Sequence, residues 1–185
     1  FKKIKKPLII AEIGNNHEGN FNNALKLIDA AKKSGVDAVK FQTFKTDLYY
    51  SKHDKERVKR LKKFELSFEQ FSKLAKYAKK KNLLFISTPL DLKSLDHLKK
   101  IVDIIKISSG DNNFHDLIKN SVKSNKELII STGLTSLKEI VGLKKFIQDL
   151  NFIKKTYFLH CVSNYPVDPK NANLNFILKL KKIFK

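Results

Sequence analysis

The chain has 185 residues, with 38 lysines and arginines against 18 aspartates and glutamates, and a formal net charge of +20. Apolar residues make up 42% of it, which is enough to build a core and excludes a disordered tail. A single cysteine, Cys161, excludes an intramolecular disulfide and a four-cysteine zinc site. No apolar run approaches the roughly 20 residues of a transmembrane helix, and no signal peptide is visible. We therefore expect a cytoplasmic protein without a membrane partner.

The positive charge comes almost entirely from lysine, because Arg57 and Arg60 are the only arginines. Surfaces that recognise nucleic acids usually depend on arginine for bidentate contacts. The lysines instead occur in pairs within amphipathic helical patterns, which is typical of solvated outer faces. The charge predicts attraction of small anionic substrates and no nucleic-acid partner; a basic nucleic-acid-binding module is kept as a remote alternative.

Short apolar runs alternate with helical patterns along the chain. The runs are near-continuous in apolar character, as in parallel strands covered on both faces, and lie at Leu8–Ile13, Ala38–Phe41, Leu83–Ile86, Ile104–Ile107, Leu128–Ile130 and Tyr157–Val162. Helical spacing predicts helices at Asn22–Ser34, Phe68–Lys81, Leu92–Lys100, Phe114–Lys123, Ser136–Asp149 and Asn173–Lys182. The charged stretch Lys45–Glu65 is longer than an ordinary loop, and predicts an active-site loop with some helix of its own.

Six strand–helix units in succession predict an α/β fold with a parallel sheet. An open doubly wound sheet and a (β/α)₈ TIM barrel both fit this order, but no strand is followed by the glycine-rich loop of a nucleotide-binding sheet. We therefore favour a barrel, of which the 185 residues supply about six of eight units. The whole chain, 1–185, is interpreted as one partial barrel domain without the last two units.

Polar residues follow the end of every predicted strand. Such a set in parallel strands predicts a polar pocket, because active sites of barrels form at the carboxyl ends of the strands. Lys40 and Lys106, with hydroxyls and glycine-containing turns nearby, favour anion binding, while Glu12 and Asp111 could exchange protons. Each residue also has a structural interpretation; Glu12, for instance, could simply be the ion-pair partner of a lysine. We expect Glu12, Lys40, Lys106 and Ser131 to converge at one rim.

The strand-end motifs together resemble the sialic acid synthase family. The motifs are Ala11–Gly19, Ala38–Gln42, Ser87–Pro89, Lys106–Asp111, Ser131–Gly133 and Leu159–Pro166. The resemblance covers nearly all of the chain. It implies an enzyme that condenses phosphoenolpyruvate with N-acetylmannosamine or a related amino-hexose, giving a nonulosonic acid and phosphate.

The resemblance also implies roles for individual residues. Phosphoenolpyruvate would be bound by Lys40, Thr88, Lys106, Ser109, Ser131 and Ser163; the sugar by Gln42 and Tyr165; and protons would be handled by Glu12 and Asp111. Two positions depart from familiar members of the family, which carry asparagine at position 163 and often glutamate at position 111. The shorter Asp111 side chain reaches about one methylene less, so the acceptor or the proton transfer would differ.

The resemblance further implies a divalent metal, Mn²⁺ or Mg²⁺, whose two histidine ligands would lie on strands beyond residue 185. A small antifreeze-like C-terminal domain and a homodimer are implied for the full-length protein, and the 185 residues alone are expected to be inactive. Two related activities stay open: another phosphoenolpyruvate-dependent 3-deoxy-ulosonate synthase, and a Schiff-base aldolase that uses Lys40 or Lys106.

Overall fold

The computed structural model describes residues 7–51 and 53–184 and has the α/β architecture that the alternating pattern predicts. Its strands are β1 (Ile10–Gly14), β2 (Ala38–Thr43), β3 (Leu84–Pro89), β4 (Ile104–Ile107), β5 (Glu127–Ser131) and β6 (Thr156–Leu159). They form a six-stranded sheet in the order β1-β2-β3-β4-β5-β6, so that each strand neighbours the next along the chain. The strand pairings recorded within the sheet are parallel. The predicted fold class is therefore confirmed.

Helices connect the strands. They are α1 (Phe21–Lys33), α2 (Thr46–Tyr49), α3 (Lys55–Lys62), α4 (Phe68–Lys80), α5 (Leu92–Leu98), α6 (His115–Val122), α7 (Leu137–Asp149) and α8 (Phe176–Ile183). Within the described residues, none of these helices is both long enough and apolar enough to cross a bilayer.

The contacts divide the chain within β4 into two compact units, one up to Ile105 and one from Lys106. In the first unit, β2 pairs along its whole length with β3, from Ala38 opposite Leu84 to Thr43 opposite Pro89. Helices α1 and α4 pack here through fully buried side chains such as Ile28 and Leu74. Burying such a side chain contributes about 1.5–3 kcal/mol to the stability of the fold. The apolar faces of α1 and α4 therefore stabilise the strands on which they pack.

In the second unit, β5 pairs with β6 in register, from Leu128 opposite Thr156 to Ser131 opposite Leu159. Helix α7 begins at a capping box, in which the Ser136 side chain accepts from the Glu139 backbone N–H and the Glu139 side chain accepts from the Ser136 backbone N–H. Its buried side chains, Ile140, Leu143 and Ile147, face the core. The local sequence thus fixes both where this helix begins and which face it buries.

Most predicted elements differ from the observed ones by one to three residues at one or both ends, and only the fourth strand, Ile104–Ile107, matches exactly. The first strand begins at Ile10 instead of Leu8, and the last ends at Leu159 instead of Val162. The last helix begins at Phe176 instead of Asn173, after a 3-10 turn at Pro169–Asn171. The apolar run at the sixth strand continues for three residues beyond its ladder, because apolar character reports burial and not hydrogen bonding. Cys161, Ser163 and Tyr165 therefore lie on a loop.

Candidate functional site

In the first unit, four of the predicted site residues share one face of the sheet. Lys40 lies opposite Glu12 in the β1–β2 register, and Gln42 lies opposite Thr88 in the β2–β3 register. Lys40 and Gln42 are two residues apart on one strand, so their side chains point to the same side. All four are near the carboxyl ends of their strands. The structure thus places these four predicted residues on one face of the sheet.

Lys40 and Glu12 form an ion pair. The Lys40 Nζ lies 2.8 Å from the Glu12 Oε2, with the lysine side chain 6% exposed and the glutamate 60% exposed. Burying an ammonium group costs free energy unless the group is paired. The mostly exposed carboxylate stays hydrated, so its own desolvation cost is small. The pair therefore holds a positive charge in place at the carboxyl end of β2.

Ser87, which neighbours Thr88, has a structural role. Its hydroxyl donates to the Phe41 carbonyl over 3.2 Å and lies 2.8 Å from the Thr43 hydroxyl, and the Ser87 and Thr43 side chains are both fully buried. The Ser87 and Thr43 hydroxyls thus form a hydrogen bond with each other between β2 and β3. Thr88, the next residue of β3, points to the opposite face and is the hydroxyl on the site face.

The loop between β1 and α1 is fixed by backbone hydrogen bonds and by His17. The Asn15 Nδ2 donates to the Gln42 Oε1 over 2.8 Å, which ties this loop to β2. The fully buried His17 accepts the Gly19 backbone N–H at its Nδ1, over 3.1 Å. Gly19 has a φ of +75°, and a Cβ there would lie 1.8 Å from the Lys63 carbonyl oxygen, so only glycine fits.

His17 is neutral at physiological pH. Burial lowers the pKa of its imidazole from 6.5 to about 4, because the charged form would lose its hydration. Since Nδ1 accepts, the proton is on Nε2, and that atom is buried without a hydrogen-bond partner in the described part of the chain.

In the second unit, Lys106 lies on β4 and is 8% exposed. The strand leads into a 3-10 turn at Ser109–Asp111, and the Ser108 hydroxyl donates to the Asp111 carboxylate. Burial raises the pKa of the Asp111 carboxyl above its usual value, and the Ser108 hydrogen bond opposes this shift in part. A half-buried carboxyl whose pKa is raised by burial is a candidate for proton transfer.

Two predicted hydroxyl positions meet around Gly133, which follows β5. The Gly133 N–H donates to the Ser109 Oγ over 3.1 Å. A Cβ added at Gly133 would lie 2.8 Å from the Ser109 Oγ and 2.8 Å from the Ser163 Oγ. Ser131, two residues before this glycine, is 3% exposed at the end of β5. The structure thus brings Ser109 and Ser163 together in the second unit and explains the glycine between them.

The sequence reasoning missed Asn112. Its buried Nδ2 donates to the Ser131 backbone carbonyl over 3.1 Å and to the Thr135 Oγ1 over 2.6 Å, so it joins the 3-10 turn to the end of β5. The available signal was an amide directly after Asp111 in a strand-end motif. Tyr165, by contrast, is 96% exposed.

The remaining histidines have structural surroundings. His97 stacks on Phe68 at 4.8 Å between ring centroids, and His115 packs against Phe146 at 4.4 Å. Across residues 7–51 and 53–184, no three histidine, cysteine, aspartate or glutamate side chains are grouped so that they could hold a metal ion. The described residues by themselves therefore form no site for the metal, whose histidine ligands the resemblance places beyond residue 185.

Comparisons with known proteins show which family the chain resembles. The model of the NeuB family matches residues 27–185. An uncharacterized Methanocaldococcus jannaschii protein, MJ1065, is 43% identical over 98% of this chain and 54% of its own length. The N,N'-diacetyllegionaminic acid synthase of Campylobacter jejuni is 37% identical over 98% of this chain and 59% of its own length.

Among solved structures, the N-acetylneuraminic acid synthetase of Leptospira borgpetersenii superposes with a TM-score of 0.89 at 36% identity. The match covers 95% of this chain and 61% of that one. The chain spans between half and two thirds of the length of these relatives. The predicted polar strand ends therefore lie on a scaffold that matches a sialic acid synthetase.

Proposed function

Because this chain belongs to the NeuB family, we propose that it is part of an enzyme that condenses phosphoenolpyruvate with an N-acetylated amino sugar. In this reaction C3 of phosphoenolpyruvate attacks the aldehyde carbon of the open-chain sugar. Water adds at C2, and the tetrahedral intermediate expels phosphate by cleavage of the C2–O bond. The products are a nonulosonic acid and inorganic phosphate.

The observation that carries this proposal is the Gly133 cluster, defined as Gly133 with the Ser109 and Ser163 hydroxyls. Fixed hydroxyls and a glycine turn are suited to the phosphate and carboxylate oxygens of phosphoenolpyruvate, because preset donors need little reorganisation. In the second unit, Lys106 and Ser131 are proposed to bind the same anion. In the first unit, Lys40 and Thr88 are proposed as phosphoenolpyruvate-binding residues, as the resemblance implies.

Between the two acidic candidates, Asp111 is proposed as the proton carrier. Burial raises the pKa of its carboxyl, which favours the protonated form. Glu12 instead pairs with Lys40 at 2.8 Å and is mostly exposed. Its proposed role is to hold the lysine ammonium in position for the anionic substrate.

A Schiff-base aldolase is less well supported. Its lysine must act as a neutral amine nucleophile, usually in a desolvated site or beside another cation. The Lys40 Nζ is instead paired with a carboxylate. This pairing suits a charged anion-binding lysine.

A glycine-to-alanine pair tests the proposal in the full-length enzyme. We expect Gly133→Ala to raise the KM for phosphoenolpyruvate about 10-fold, because the new methyl must displace two substrate-binding hydroxyls, each worth about 0.5–1.5 kcal/mol. The matched control is Gly142→Ala on α7, where a Cβ would meet no atom within 4 Å. If both variants saturate with phosphoenolpyruvate like the wild type, the cluster does not bind it.

A further inference from the structure

The contacts of Gln42 point to a positioning residue that the family resemblance does not supply. We propose that Asn15 fixes the orientation of the Gln42 side-chain amide, so that Gln42 presents its Nε2 hydrogens, and not its oxygen, to the acceptor sugar. This inference rests on the proposed function, in which Gln42 contacts the sugar.

The hydrogen bond between the two amides sets their orientation. Asn15 Nδ2 donates to Gln42 Oε1 over 2.8 Å, which occupies the glutamine oxygen and leaves its NH₂ group for another partner. Gln42 is half-buried and lies opposite Thr88 on the site face. The free end of this amide is therefore a donor.

The reverse orientation costs more free energy. As the amides stand, the Asn15 Oδ1 is buried without a partner in the described chain. Turning both amides over would put the Asn15 NH₂ group in that place and leave its donors unpaired. Buried unpaired N–H groups are rarer in proteins than under-satisfied carbonyl oxygens, so the observed orientation is preferred.

The backbone holds Asn15 where this bond requires it. The Asn16 N–H donates to the Ile13 carbonyl over 3.0 Å, and the Glu18 N–H donates to the Asn15 carbonyl over 2.9 Å. The bond from the Gly19 N–H to the buried His17 closes the same loop. The asparagine amide is therefore presented by a closed turn and does not have to be ordered when substrate binds.

The orientation defines what the sugar must supply. An NH₂ donor requires an acceptor oxygen, either a hydroxyl oxygen or the carbonyl oxygen of an acetamido group. A sugar analogue that lacks this oxygen leaves the donor unpaired, and binds more weakly for that reason. Asn15 would thus contribute to acceptor specificity without touching the sugar.

A double-mutant cycle in the full-length enzyme tests the coupling. Asn15→Asp removes the donor, so Gln42 is expected to turn and present its oxygen to the sugar. We expect the KM for the acceptor sugar to rise about 5- to 10-fold in Asn15→Asp, with the KM for phosphoenolpyruvate unchanged. In a Gln42→Ala background, Asn15→Asp should add nothing further. The matched control is Asn16→Asp, because Asn16 is an exposed residue of the same loop. This variant adds the same negative charge but leaves the Asn15–Gln42 hydrogen bond in place, so its KM values should equal those of the wild type.

Gln42→Glu provides a second variant, because it keeps an oxygen for Asn15 but removes the NH₂ group. It should raise the sugar KM at least as much as Gln42→Ala. Additive effects in the cycle, or a Gln42→Glu enzyme with normal sugar saturation, would overturn the positioning role while leaving the proposed function intact.

Side-chain amide NMR separates this inference from the proposed activity, because it needs no turnover. The hydrogen-bonded Asn15 Nδ2 proton should resonate downfield and move upfield in Gln42→Ala. If the wild type shows this signal but no condensation, the proposed function fails and the amide orientation stands. If the Asn15 signal does not respond to Gln42→Ala, the orientation is wrong.

Discussion

Replacing Lys106 with alanine in the full-length enzyme is expected to raise the KM for phosphoenolpyruvate about 10- to 150-fold. In the proposed function Lys106 makes one charge-assisted contact to the anionic substrate, and such contacts are worth about 1.5–3 kcal/mol. Gln42→Ala should instead raise the KM for the sugar. Steady-state kinetics with each substrate varied in turn would separate the two effects.

Lys138→Ala, at an exposed lysine of α7, is the matched control and should leave both constants unchanged. It removes the same charge from the surface and so accounts for long-range attraction of the substrate. A folded Lys106→Ala enzyme with normal phosphoenolpyruvate saturation would make Lys106 a structural lysine of β4.

Acidification from pH 6.5 to pH 4 is expected to destabilise the protein through His17. The pKa of this imidazole is about 4 in the folded protein and 6.5 for the free side chain, so the unfolded chain binds more protons between these values. Stability is therefore lost as the pH falls through this window, by at most about 3 kcal/mol. Above pH 6.5 the His17 imidazole is neutral in both the folded and the unfolded state, so it no longer makes the stability depend on pH. Urea unfolding at a series of pH values would measure the slope.

His17→Asn isolates this contribution. The asparagine oxygen can take the place of Nδ1 as acceptor for the Gly19 N–H, but the side chain does not titrate. The variant should be less stable than the wild type near pH 7, because it fills less of the buried space, and its stability should depend less on pH below 6.5. Parallel pH profiles of the two proteins would contradict the buried neutral imidazole.

The sequence predicted the architecture well where the chain has strong local signals. The helix expected at Phe68–Lys81 is observed at Phe68–Lys80, because Ser67 and Gln70 form a capping box and the apolar spacing continues to the last turn. The stretch Lys45–Glu65 does contain helix, at α2 and α3. The end of β6 was predicted three residues late, since strand ends depend on pairing with β5, which apolar character does not report.

The site could be predicted as a set of residues but not as a set of contacts. Placing Lys40 and Gln42 on one face required only the two-residue period of a strand, and the register confirmed their shared face with Thr88. The bond between Asn15 and Gln42 joins residues 27 apart in sequence. The burial of His17, which lowers its pKa, depends on packing that no local pattern contains.

The central claim is tested most directly with phosphoenolpyruvate that carries ¹⁸O in the bridging position between C2 and phosphorus. The full-length protein would be incubated with this substrate and an N-acetylated amino sugar, and the products analysed by mass spectrometry. Our account predicts a nonulosonic acid, together with phosphate that retains the label, because the C2–O bond breaks. Label-free phosphate with free pyruvate, or a borohydride-trapped adduct between pyruvate and a lysine of this chain, would contradict it.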